Sequence, residues 1–146
     1  MSSTESTRQL VVFGLGEEEY GLAIGDVQEI IRYVEPRSVA SDAAWIRGVI
    51  SLRGKIIPVC DLATRLGVAR GEGQAAKIIV VAAGEHTVGL VVDDVTEVLT
   101  VDDGAVESLH LASGNGAHSI VKVDERLIVL LASESIFESS ELADAV

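Results

Sequence analysis

Apolar positions along the chain gather into short runs separated by polar turns, the spacing of strands in small sheets rather than of long helices. QLVVFGL (9–15) and YGLAI (20–24) flank the polar stretch 16–19 and read as a hairpin, with Gly14 and Gly16 giving the backbone freedom at the corner. A second hairpin pairs GVISL (48–52) with KIIPV (55–59) across an exposed Arg53-Gly54 turn. Pro58 has no N–H to give to a ladder, which predicts that its strand lies at a sheet edge. DLATRLG (61–67) reads as one or two helical turns, opened by Asp61 as N-cap and closed by Gly67. VARGEGQAA (68–76) is loop-like and marks the best boundary. Residues 1–7 predict a disordered tail, and residues 133–143 a C-terminal helix with Ser133 as N-cap and Ile136, Phe137 and Leu142 available to dock.

Beyond the linker the pattern begins again. At a shift of 68, LVVFGLGE (10–17) lies over IIVVAAGE (78–85), YGLAI over VGLVV, and GDVQEII (25–31) over DDVTEVL (93–99), with Gly21 over Gly89. At a shift of 71, KIIPV (55–59) lies over RLIVL (126–130). The chain is therefore an internal duplication, and each copy holds about five short strands, the content of a small closed barrel. A copy of roughly 60 residues buries only a modest core, so the two barrels are expected to pack together and leave a groove between them. The expected division is one domain, 8–146, with one lobe at about 16–77 and the other at about 8–15 plus 78–138.

Composition sharpens this picture. The 146 residues suit one domain or two small lobes and exclude a multidomain enzyme, and 21 Val and 12 Ile with only 3% aromatics favour an all-β core. Eleven Lys and Arg against 23 Asp and Glu give a net charge of −12, which repels nucleic acid and anionic membrane alike. From Arg32 to Lys77, however, eight basic residues face four acidic ones, a local excess that either orients an acidic partner or is neutralised internally. No apolar run reaches the roughly 20 residues that span a bilayer, and MSSTESTRQ lacks a secretion-signal layout, so a cytoplasmic protein without direct membrane insertion is expected. Cys60, the only cysteine, sits in an apolar run as a buried, inert thiol.

Signs of chemistry are sparse. His86, His110 and His118 share no metal-ligand spacing, and Asp93-Asp94 and Asp102-Asp103 stand outside any calcium loop, as solvated turn carboxylates do. Gly14-Leu15-Gly16 lacks the third glycine of a dinucleotide fingerprint and would set three glutamates against a pyrophosphate. No metal, cofactor or catalytic residue is expected. The enzymatic alternative is a metal-dependent hydrolase using Asp61, Asp93 and Asp94, motivated by the acidic surplus. Contact residues stand out more. Arg53 on its turn can grip a carboxylate or merely solubilise; Val27, Ile30, Ile31 and Val34 exceed what one face buries; Trp45 suits the lid of a barrel end or an interface anchor.

The chain resembles the CheW family of chemotaxis coupling proteins. The resemblance rests on FGLGEEEYGLAIGDVQEIIR (13–32), WIRGVISLRGKIIPVCDLATRLG (45–67), IIVVAAGEHTVGLVVDDVTEVL (78–99) and KVDERLIVLL (122–131), nearly the whole ordered chain. It implies two SH3-like five-stranded β-barrel lobes with short helices, and a noncatalytic adaptor without cofactor that is monomeric outside the receptor array. The implied partners are the regulatory domain of a CheA-type histidine kinase and the cytoplasmic tip of a chemoreceptor, at arrays on the membrane. With no receiver domain or kinase core in the sequence, a free-standing adaptor is implied; an orphan adaptor of another kinase or motility pathway keeps the fold and changes the partner. By motif position, Val27, Glu29 and Ile30 match the family's V-x-E-I segment, and Gly48, Arg53 and Gly54 its G-V-x-x-L-R-G turn. Val91, Val92 and Val95 match the run that lines the receptor groove from the second lobe, with core packing as their alternative role. Departures fall late: Ser119 replaces a Gly, Ala132 an Asp, and HLASGNGA (110–117) lacks the usual prolines.

Overall fold

The valine- and isoleucine-rich runs form two sheets in a computed structural model that describes residues 6–41, 43–69, 76–110 and 117–136. In chain order the elements are β1 (Thr7–Leu15), β2 (Glu18–Ala23), β3 (Val27–Arg32), β4 (Ile46–Leu52), β5 (Lys55–Asp61), α1 (Leu62–Leu66), β6 (Lys77–Ala83), β7 (His86–Val92), β8 (Asp94–Asp102), β9 (Val106–His110), β10 (Ala117–Val123), β11 (Arg126–Leu131) and α2 (Ser133–Ile136). One sheet has the order β8-β1-β2-β11-β10-β9 and the other β3-β6-β7-β5-β4. All neighbours are antiparallel except β2 with β11 and β5 with β7.

The duplication is visible in both sheets, but the halves are exchanged. Each sheet takes its first hairpin from one half of the chain and its remaining strands from the other: β1–β2 joins β8–β11, and β6–β7 joins β3–β5. A division into lobes of 16–77 and 8–15 plus 78–138 therefore does not describe the sheets. The chain passes between sheets at the 3₁₀ turn Ile24–Asp26 and again at Asp93. The expected five strands per lobe also need one correction. Residues 33–37 touch β4 through a single bridge, Arg37 to Val49, whereas the corresponding stretch of the second half is the full strand β9, which makes that sheet six-stranded.

Burial separates three cores. Ile50, Ile57, Val59, Ile78, Val80 and Val91 fill the five-stranded barrel, and Leu10, Val12, Val101, Val121 and Ile128 fill the six-stranded one. The largest cluster lies between the sheets, where Phe13, Leu15, Tyr20 and Leu22 meet Cys60, Leu62, Ile79, Val81, Val88, Leu90 and Val92. The expected groove is thus closed by core along this face. Gly21 and Gly89 occupy matching places beside the parallel pairs, and a Cβ at Gly89 would come within 2.8 Å of an Ile78 methyl. That close approach explains the glycine common to the two copies.

Local chemistry sets the smaller features. Leu15 pairs with Glu18 across a tight Gly16-Glu17 turn, and Asp61 caps α1 by accepting from the Thr64 N–H while Gly67 closes it at φ 76°. Pro58, expected at an edge, lies on an interior strand; its ladder to β7 starts only at Val59, so no N–H is missed. α2 begins at Ser133 itself, whose hydroxyl donates to the Ala82 carbonyl (2.6 Å), and Ile136 docks into the inter-sheet core as expected. Phe137, Leu142 and residues 1–5 lie outside the described residues, as does most of the 68–76 linker. Cys60 is fully buried, and desolvation pushes its thiol pKa up, away from the reactive thiolate.

Candidate protein-interaction surface

On β3 the side chains alternate between faces. Ile31 lies opposite Ile78, a residue of the barrel interior, so Ile30, opposite Ile79, is on the outer face with Gln28 and Arg32. Ile79 belongs to the inter-sheet core while Ile30, at the margin of the same face, is 40% exposed. Val27, at the start of the strand, is half-buried and packs against that core.

The β4–β5 hairpin brings the turn to this strand. Arg53 and Gly54 both adopt positive φ, 53° and 82°, as a tight two-residue turn requires. Arg53 Nε and Nη2 donate to the two Glu29 carboxylate oxygens at 2.9 and 3.0 Å, a bidentate pair that joins β3 to the opposite end of the sheet order and so closes the barrel. The guanidinium holds the Glu29 carboxyl below its ordinary pKa, yet the Arg53 side chain remains 75% exposed. The second half uses the corresponding glutamate the same way: Glu97 accepts from Arg126 at 2.6 Å, and Arg126 also grips Glu19.

Other expected site residues serve the fold. Gly48 is buried at φ 147°, and a Cβ there would collide with the Arg37 carbonyl oxygen, which accepts from the Val49 N–H at 2.9 Å. Val91 fills the five-stranded barrel and Val92 the inter-sheet core, so neither side chain reaches the surface; packing, their alternative role, is what the structure gives. Val95 is half-buried against the inter-sheet core, in the second half's counterpart of the Val27 position. Trp45 packs on the same core with the Arg65 guanidinium 5.1 Å from its ring centroid, nearer to the expected lid than to a free anchor.

The carboxylates of the hydrolase alternative are engaged separately. Asp61 receives Arg47 (3.0 Å) and caps α1, Asp93 accepts from the Gly16 N–H (2.7 Å), and Asp94 accepts from the Val95 N–H (2.9 Å). Among the described residues no three His, Cys, Asp or Glu side chains gather where they could hold a metal ion, and no helix is long and apolar enough to cross a membrane.

Comparison with known proteins decides the family. The CheW-like domain model matches residues 9–141. The chain belongs to the CheW-like family. A probable chemotaxis protein CheW from Rhizobium etli is 33% identical over 96% of this chain and 94% of its own length, and the CheW of Klebsiella aerogenes is 32% identical over 93% and 85%. Among solved structures, the scaffolding protein TtCheW from Thermoanaerobacter tengcongensis superposes with a TM-score of 0.81 at 34% identity, covering 93% of this chain and 96% of that one. As a CheW-like chain it is an all-β chemotaxis coupling protein.

Beside the expected Ile30, the CheW motifs in the sequence do not reveal three exposed positions, Ile56, Leu127 and Val98. Ile56 is 66% exposed and Leu127, its counterpart at the shift of 71, is 61% exposed; Ile30 and Val98 form a second matched pair at the shift of 68. KIIPVC looks uniformly apolar because Ile57 and Val59 face the barrel interior while Cys60 faces the other sheet. Strand alternation carries the missing signal: with Ile57 inside, Ile56 must point out.

Proposed function

We propose that this chain is a noncatalytic adaptor that binds the regulatory domain of a CheA-type kinase through the five-stranded barrel and a chemoreceptor's cytoplasmic tip at the rim of the inter-sheet core. It works from the cytoplasm at membrane receptor arrays. The observation that carries the reading is the bidentate pairing of Arg53 with Glu29, which ties the family's L-R-G turn to its V-x-E-I segment and leaves Arg53, and Ile30 on the other face of β3, exposed. The buried Val91 and Val92 leave the receptor contact to the half-buried rim residues Val27 and Val95, which pack on one core from matching positions. Holding kinase and receptor together raises their effective concentration, so individually weak contacts suffice.

A pull-down on an immobilised CheA regulatory domain, and separately on a receptor tip, tests the reading. The wild-type chain is retained by each, and Arg53→Glu lowers retention on at least one while its far-UV circular dichroism stays unchanged. Retention by neither, or undiminished binding of Arg53→Glu to both, contradicts it.

A further inference from the structure

The two barrels share an ancestry but not a charge. Residues 27–69 and 77–92, which build the five-stranded barrel, carry seven Arg and Lys against four Asp and Glu among the described residues. Residues 7–23, 94–110 and 117–131, which build the six-stranded one, carry three against ten. Internal pairing deepens the contrast. Arg47 and Arg53 are matched by Asp61 and Glu29, whereas Arg32, Arg37, Lys55 and Lys77 make no side-chain hydrogen bond or ion pair among the described residues.

Two of these cations are placed where folding gains nothing from them. Arg32 and Lys77 stand directly opposite each other across β3 and β6, and like charges facing across a ladder destabilise it. They share the outer face with the exposed Ile30, two residues along from Arg32, and that face runs on into the apolar inter-sheet core through Ile79. An apolar centre flanked by unmatched cations fits a partner surface with carboxylates around an apolar centre.

We propose that the outer face of β3, Ile30 with Arg32 and Lys77 beside it, is the dock for an acidic surface of the kinase regulatory domain. This rests on the adaptor reading and adds to it the chemistry of the contact: charge sets the approach and the selection, and Ile30 supplies the burial. Salt then weakens the complex, and opposite charge at the dock repels it.

The test is titration of the CheA regulatory domain with wild-type chain, Lys77→Glu, Ile30→Asp and, as control on the other barrel, Lys122→Glu, each from 50 mM to about 500 mM NaCl. Wild-type Kd should rise with salt, and Lys77→Glu should raise Kd about tenfold at low salt with a flatter salt dependence, while Lys122→Glu leaves both unchanged. Lys77→Glu also places a carboxylate opposite Arg32, so its Tm should rise by about 1–4 °C; a change that stabilises the fold while weakening the complex separates docking from structure. Wild-type binding that ignores salt, or Lys77→Glu binding as tightly as wild type while Ile30→Asp abolishes it, overturns the acidic dock and leaves the adaptor reading standing. Absence of wild-type binding at every salt concentration overturns both.

Discussion

Gly48 occupies a place that admits no side chain. Its φ of 147° and the Arg37 carbonyl in front of it fasten residues 33–37 to β4, so Gly48→Ala should cost about 3 kcal/mol in urea denaturation. Gly54→Ala, with open space around the new methyl, should cost only about 1 kcal/mol for its positive φ. Arg126 makes a pH-dependent case. Its hydrogen bonds hold the Glu19 carboxyl below the ordinary glutamate pKa, so the stabilisation is complete above that range and is lost as pH falls through the folded-state value. Arg126→Leu should therefore cost about 1 kcal/mol at pH 7, the pair being part-exposed and screened, and much less at pH 3, read from denaturation midpoints. Sequence makes Asp61, Gly67 and the Arg53-Gly54 turn legible because caps and tight turns are set by neighbouring residues. It hides the burial of Val91 and Val92, because a run of valines does not say which sheet each face meets.

At the scale of elements, α2 acts as a clasp. It follows β11 of the six-stranded sheet, yet Ser133 bonds to Ala82 on β6 of the other sheet, and the Arg65 Nε on α1 donates to the Ile136 carbonyl at 2.9 Å. Ile136→Ala should cost about 2–4 kcal/mol, because the helix loses its anchor in the inter-sheet core. Hydrogen exchange should show faster opening of β6 and α1 in that variant, with β9 and β10 unaffected. Every strand but β9 was foreseeable from short apolar runs and the repeat. β9 escaped because its counterpart, residues 33–37, makes only the one bridge, so nothing in the first half advertises a strand there. Pro58 misled for a related reason: the proline rule concerns a single N–H, and the ladder to β7 begins one residue later.

The whole molecule is a duplication whose halves have exchanged hairpins. Neither half holds a complete sheet, since β1–β2 pairs with β8 and β11 while β6–β7 pairs with β3 and β5. Residues 1–76 and 77–146 expressed separately should each lack cooperative unfolding, and mixing them should restore it; two fragments that unfold cooperatively alone would contradict the exchange. The repeat establishes kinship between the halves, but only long-range pairing reveals the exchange, and no local pattern encodes that. The same arrangement joins two differently charged barrels through one shared core, which suits the proposed adaptor role.

The most direct measurement is co-sedimentation of a CheA-type kinase with receptor cytoplasmic fragments arrayed on vesicles, with and without this protein. An adaptor predicts that the kinase pellets with the receptor only when the wild-type chain is present, and that Arg53→Glu reduces the pelleted fraction. Equal pelleting of the kinase in its absence, or none in its presence, would contradict the account.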